Sequence, residues 1–371
     1  MFYIINTERM IKTMNNEALI LAKKLCSTMM NKFEAPELPP VKKWHYHQGI
    51  FLLGMYKIYE ITQNESYFEY IKAYVENVMD ERGFIYHNCT FDDAMTCILL
   101  FPLLEKTKDI KYKTMLDVSA KWIPSYFKTK SGGFWHKFTI ADQMWLDGFY
   151  MAQPLCTKYA ATFNTHAEFY KMAYDQLRLM KQFTRDEKTG LWYHAYDESR
   201  EAVWCDKETG KSPEFWGRAF GWIGAALVDI LDYMPADCEY RDYFLETLDD
   251  YIETIIKYQD KETGLWYQVL DKGDDPRNWH ENSCSCLFTY TICKAMRMGF
   301  TNKDYTANAK LAFEGIKSQL TITDTDVIIN NICIGTGVGN YEHYLNRPRT
   351  ANDLHGSGAF LHAMSELAQV L

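Results

Sequence analysis

No stretch of the 371-residue sequence reaches 18 consecutive apolar residues, so nothing in it reads as a membrane-spanning helix. The opening, MFYIINTERMIKTMNNEALILAKK, lacks the continuous apolar core and small-residue cleavage pattern of a secretory signal, and the expected compartment is the cytoplasm. Positive charge is in deficit: 40 Lys and Arg face 49 Asp and Glu, for a net charge of -9. Such a field attracts neither nucleic acid nor an anionic membrane, and neither is expected as a partner. The ten cysteines follow no regular framework in a chain too large to need disulfide staples, so reduced, mostly buried thiols are expected. Without export, the glycosylation patterns at Asn64-Glu65-Ser66 and Asn88-Cys89-Thr90 carry no meaning. There is no Gly/Ser/Pro-rich linker, charge block or low-complexity run, so residues 1–371 are expected to form a single domain. The nearest metal-ligand spacings, His45-x-His47 and Cys284-x-Cys286, lack a second pair, and neither a metal nor another cofactor is expected. GTGVG at 335–339 is not followed by the Lys-Ser/Thr of a phosphate loop and reads as a tight loop. Ser357 has no GxSxG register and reads as the N-cap of the last helix.

Aromatic residues are abundant, at 15% of the chain with 10 Trp, 26 Tyr and 21 Phe, which suggests an aromatic-lined surface as well as a core. Helical periodicity dominates. Segments 49–62, 94–107, 166–183, 218–234 and 241–259 place apolar residues at three-and-four spacing, mostly on more than one face, as in helices packed on both sides. Between them a phrase recurs: DERGFIYHN (80–88), TKSGGFWHKF (129–138), DEKTGLWYHAYD (186–197) and DKETGLWYQVLD (260–271). Each is a Gly-containing turn followed by residues that alternate like a short strand. The glycines at 83, 133, 190 and 264 lie 50, 57 and 74 residues apart, about the length of a two-helix hairpin with its connections. Six hairpins of about 62 residues would close a ring of inner and outer helices, an all-α fold with short β-like loops gathered at one end around a cavity.

Candidate chemistry clusters in those loops. In MWLDGFY, Asp147 stands just before a helix start placed near Gly148, where an N-cap would account for it. Trp145 and Phe149 oppose that reading, since apolar rings raise a carboxyl pKa while a helix N-terminus lowers it; only the raised case suits a general acid at neutral pH. FDDAM offers a second carboxylate, Asp92 or Asp93, again either a cap or a partner across the cavity. Trp216, Arg218 and Trp222 in SPEFWGRAFGW could aim an arginine between two indoles, a subsite in which Arg binds a carboxylate and the indoles stack on a sugar. His136 and His194 occupy equivalent places in two of the aromatic phrases and are expected to face one cavity.

Through WHYHQGIFLLGMYKIYEIT, GGFWHK, DQMWLDGFYMAQP, TGLWYHAYD, FWGRAFGW, GTGVGNYEHYLNRP and NDLHGSGAFLHA, nearly the whole chain resembles glycoside hydrolase family 105, the unsaturated rhamnogalacturonyl hydrolases and related unsaturated glucuronyl hydrolases. The resemblance implies an (α/α)6 barrel and a small oligosaccharide substrate ending in a 4,5-unsaturated uronic acid. It places the catalytic acid on Asp147 in Trp-x-Asp and the second pocket aspartate on Asp92, with Asp93 as the alternative because NCTFDD departs from the family segment. Tyr46, His136, Trp145, His194, Trp216, Arg218 and Trp222 fall around the sugar and its carboxylate. A sugar epimerase or another glycosidase on the same barrel, and a non-catalytic carbohydrate-binding protein, are the competing readings. The carboxylates among indoles weigh against the last.

Overall fold

A computed structural model describes residues 16–86 and 90–371; the opening segment and the Asn88-Cys89 part of the second glycosylation pattern lie outside the described residues. Among the described residues, α-helices alternate between an inner and an outer layer. The inner segments are α2 (Tyr46–Thr62), α4 (Phe91–Thr96) with α5 (Leu100–Thr107), α7 (Leu146–Phe163), α9 (Gly217–Tyr233), α11 (Asn282–Met298) and α14 (Leu354–Val370). Each packs against the next and α14 returns to α2, closing the ring of an (α/α)6 barrel.

The sequence separates the two layers by how much of each helix is apolar. Residues of α9 are buried continuously from Gly217 to Leu231, and those of α14 from Leu354 to Ala368, because both faces meet neighbours. The outer α10 (Arg241–Lys257) buries one stripe, Phe244, Leu248, Tyr251, Ile252 and Ile255 with Thr247 and Thr254 beside them, and its charged residues lie on the other side. The remaining outer helices are α1 (Glu17–Lys32), α3 (Glu65–Val78), α6 (Lys111–Trp122), α8 (Glu168–Thr184) and α12 (Thr306–Ser318), with a short α13 (Tyr341–Leu345) near the end.

Two details differ from six equal hairpins. The sixth inner helix, α14, takes as its outer partner α1, from the opposite end of the chain, so no contiguous sixth hairpin exists. The second inner helix, expected to run unbroken over 94–107, is interrupted by a 3-10 turn at Cys97–Leu99 that separates α4 from α5. The reduced thiols expected are present: every cysteine among the described residues is free, and all but Cys238 are buried. Asn64 of the first glycosylation pattern caps α3, accepting from the Ser66 amide at 3.2 Å.

The recurring phrases all connect an outer helix to the next inner one, so they gather at the N-terminal end of the inner ring. They pair only briefly, through bridges such as Met79 with Ile85, Lys128 with Phe134 and Arg185 with Trp192. In the second phrase the left-handed glycine is Gly132 (φ 95°), whereas Gly133 is needed because Met144 packs where its side chain would be. One longer pairing matters for the site: β1 (Gln143–Trp145) runs antiparallel to β2 (Ala195–Asp197), with Trp145 opposite Ala195.

Candidate active site

Helix α7 starts at Leu146, two residues earlier than the sequence suggests, and its N-cap is Trp145. Asp147 is therefore inside the first turn and is not the N-cap. The Leu146 amide donates to the His194 carbonyl at 3.0 Å, extending the β1–β2 pairing by one step. That register sets the His194 ring beside Asp147. His194 Nε2 lies 3.1 Å from Asp147 Oδ2, and His194 Nδ1 lies 2.8 Å from the Tyr344 hydroxyl, which in turn accepts from the Gly339 amide at 3.3 Å. An ionised carboxylate can only accept, so Nε2–H is the donor to Asp147, and the tyrosine hydroxyl holds the other side of the ring.

Burial pushes the Asp147 carboxyl up, but the His194 hydrogen bond and charge, with help from His136 and the helix backbone, outweigh it and hold the group below the ordinary carboxylate range. The raised value that a resting general acid would need is therefore absent. His136 is forced the other way. Its burial drives the ring pKa down to about 4 despite the neighbouring carboxylates Asp92 and Asp147. The neutral imidazole stacks on Trp145 with ring centroids 4.6 Å apart and planes 12° from parallel. Trp145 thus forms a wall between the two histidines, 5.3 Å edge-on from His194.

Asp92 and Asp93 both lie in the first turn of α4, whose cap is the Thr90 side chain. They point differently. Asp92 accepts from Lys137 Nζ at 3.1 Å and has His45 Nε2 at 3.8 Å, and its field reaches His136 and Tyr46. Asp93 is felt by Tyr74 and Cys97, behind the ring, and acts on His45 less than Asp92 does. Asp92 is the member facing the cavity. Burial raises its pKa, but His136, Lys137 and His45 together bring it below the ordinary value. Tyr46, the first residue of α2, feels Arg218, Asp92, Asp147 and Asp353 and so stands among the groups of the mouth; burial raises its phenol and keeps it protonated.

Arg218 differs from the expectation. It is not sandwiched by two indoles: its guanidinium lies 4.4 Å over Trp216, while Trp222 stacks on Tyr150 at 4.9 Å and meets Tyr46 edge-on at 6.4 Å. Arg218 is 2% exposed, and it donates to the Cys333 carbonyl at 2.6 Å and the Ile334 carbonyl at 2.9 Å, with Glu281 at 3.9 Å. Its position orders the loop that carries GTGVG rather than presenting a free cation. Trp216 is likewise closed in, between His194 (4.7 Å) and Tyr344 (5.9 Å), with Nε1 donating to Gln268 at 3.0 Å.

Sequence reasoning missed Tyr344, Lys137, His45, Glu281 and the role of the GTGVG loop. Lys137 had a local signal, since a turn at 137–140 follows the strand-like alternation and swings it back toward Asp92. Tyr344 had none, because its partner His194 is 150 residues away. The GTGVG segment is a tight loop as expected, and Gly337 approaches Trp145. Ser357 lies inside α14 with its hydroxyl unpartnered; Asp353 is the N-cap. No helix among the described residues is long and apolar enough to cross a membrane.

Taken together, the N-termini of α2, α4, α7, α9 and α14 converge on one mouth that holds two carboxylates, neutral imidazoles and an aromatic wall. The sequence pattern of Glycosyl Hydrolase Family 88 matches residues 21–371. A solved glycoside hydrolase of family 105 from C. acetobutylicum superposes with a TM-score of 0.89 at 31% identity, covering 93% of this chain and 98% of that one. An unsaturated rhamnogalacturonyl hydrolase, YesR of Bacillus subtilis, is 22% identical over 88% of this chain and 90% of its own length. The unsaturated glucuronyl hydrolase of Bacillus sp. GL1 shares the fold, with a TM-score of 0.68 at 15% identity over 94% of this chain and 95% of that one.

Proposed function

The chain belongs to the glycoside hydrolases of families 88 and 105, and from that premise we propose that it removes a terminal 4,5-unsaturated uronic acid from lyase-generated oligosaccharides, with Asp147 as general acid and base. The observation that carries the reading is Asp147 itself: a carboxyl that is not the helix N-cap, bonded to His194 and walled by Trp145 at the mouth of the barrel. Converging helix N-termini favour an anionic ligand there, as a uronate is. The substrate named for the B. subtilis relative makes the unsaturated rhamnogalacturonan disaccharide the first candidate. The reading takes residues 1–371 as a single catalytic domain working in the cytoplasm on small lyase products. A core that runs without a break from Ala18 to Ala368 supports the single domain.

The unsaturated unit is a vinyl ether, so the chemistry starts at the double bond. A protonated Asp147 transfers its proton to C4, and positive charge spreads over C5 and the ring oxygen. Water adds to C5 and gives its proton to the Asp147 carboxylate, which restores the acid; Asp92 orients that water. The C5–O5 bond of the resulting hemiketal then breaks to a ketone, and the hemiacetal left at C1 expels the neighbouring sugar. Because this is hydration, the carboxylate spacing that sorts ordinary glycosidases does not apply. His194 holds the resting carboxyl ionised, so protonation accompanies binding: the uronate charge and the loss of water both favour the neutral acid. Tyr46 and His136 supply neutral hydrogen-bonding groups beside it, and Trp145 an apolar wall.

The test follows the ultraviolet absorbance of the conjugated uronate while purified protein acts on lyase-made disaccharides from rhamnogalacturonan and glycosaminoglycan sources. A fall with one of them, absent in Asp147→Asn, is the expected result and names the leaving sugar. An unchanged absorbance across the panel, or full turnover by Asp147→Asn, would overturn the proposal.

A further inference from the structure

Beside the mouth, three side chains that the proposed hydration does not use meet at the seam where α2 closes on α14. His47 comes from the first turn of α2, while Asp353 and His355 come from the start of α14; their ligand atoms all lie within 4.8 Å of one another. His355 is fully buried, and its Nε2 sits 2.9 Å from the Cys333 carbonyl. A carbonyl can only accept, so Nε2 donates to it and Nδ1 is the nitrogen turned toward the other two side chains. His355 Nδ1 lies 2.7 Å from Asp353 Oδ1, so the imidazole and the carboxylate face one point from the same helix start. His47 Nε2 is also buried and has no hydrogen-bond partner.

We propose that His47, Asp353 and His355 form a divalent cation site of the zinc type, with three protein ligands and an open fourth position. The donor set of two imidazoles and one carboxylate suits Zn2+ and its borderline neighbours. Ligand atoms around a tetrahedral zinc lie roughly 3.3 Å apart for bonds of about 2.0 Å, so small side-chain rotations bring the three into range. The supporting shell is already built: the Nε2–H of His355 donates to a backbone carbonyl, as metal-bound histidines do, and the same Cys333 carbonyl is held by Arg218 at 2.6 Å. Access exists as well. A cleft of about 440 Å3 lined by Phe33, Pro40, His47, Asn352 and Asp353 leads to the ligands from outside the barrel. An ion here would staple the last inner helix to the first and fix Tyr46, the neighbour of His47, without taking part in the proton transfer at Asp147.

The probe is Zn2+ added to chelator-treated full-length protein, with binding followed by calorimetry and equilibrium dialysis and stability by thermal unfolding. One equivalent bound in wild type, with a raised Tm, and loss of that equivalent in both His47→Ala and Asp353→Asn is the expected result. Co2+ in place of Zn2+ should give visible bands without thiolate charge transfer, which excludes the free cysteines as ligands. No binding by folded wild-type protein, or binding that persists unchanged in both variants, would overturn the site.

Discussion

At the residue scale the most informative group is His194, because it sets the charge state of Asp147. Replacing His194 with Gln removes the charge and the charge-assisted hydrogen bond that hold the Asp147 carboxyl down, so burial should then dominate and raise its pKa. If Asp147 must be protonated to act, kcat/KM for the free enzyme falls as pH rises through the Asp147 pKa, and His194→Gln should shift that fall to higher pH. A pH profile of kcat/KM on an unsaturated disaccharide checks this; a shift in the acidic direction would remove His194 from the account. Asp147→Asn should lower kcat by about 10²- to 10⁴-fold, the usual worth of a positioned acid, with little change in KM. The paired histidines were visible in the sequence because each lies in a repeated local phrase, and the two aspartates and the rings because they crowd the turns where helices begin. The choice of Asp92 over Asp93 was not, since one residue of helical rotation decides which faces the mouth. Nor was the resting pKa of Asp147, which depends on a strand register that joins residues 145 and 195.

Element-scale features explain why the loops hold still around this chemistry. Arg218, on the first turn of α9, satisfies two carbonyls of the GTGVG-bearing loop and sits near Glu281, the N-cap of α11. Arg218→Ala would remove the cation beside buried Glu281 and the donor to the Ile334 carbonyl, leaving the Cys333 carbonyl only His355, a loss of about 3–5 kcal/mol of the kind seen when one partner of a buried charge pair is removed. Chemical denaturation measures it, and a cost near that of a surface substitution would show that the guanidinium is not the support described. The turns obey a related logic. Gly264 has φ of 75° and a side chain there would fall onto the Leu311 carbonyl, whereas Gly299 has φ of 68° with nothing within 4 Å. Gly299→Ala should therefore cost only the left-handed strain, about 1–2 kcal/mol, and Gly264→Ala distinctly more. Helix positions were legible because burial on one or both faces writes itself into apolar spacing, as α9 and α10 show. The break at Cys97–Leu99 was not, because ILLFPLL is apolar throughout and its periodicity is uninformative.

For the whole molecule, the barrel's six-fold count could be inferred from repeat length, but not that its last hairpin joins the two ends of the chain, which no local spacing encodes. The same closure gathers buried histidines inside the ring, with a consequence for stability. Burial holds His136 at about 4 and His362 at about 3, against an ordinary 6.5. Both pKa values are depressed on folding, so the unfolded chain binds these protons first. The stability they contribute is complete above pH 6.5 and is lost as pH falls toward their folded values; for His136 alone the difference corresponds to about 3 kcal/mol. Asp92 and Asp147, held below the ordinary carboxylate value, lose their contribution in the same direction but at lower pH. The protein should therefore weaken steadily between pH 6.5 and 4, taking up protons on unfolding, before the carboxylates begin to titrate. Denaturant unfolding at a series of pH values measures the slope, and His136→Asn should flatten it in that window. A stability that stays level from pH 7 to 4 would mean that water reaches these imidazoles and that the inner ring is wetter than its packing indicates.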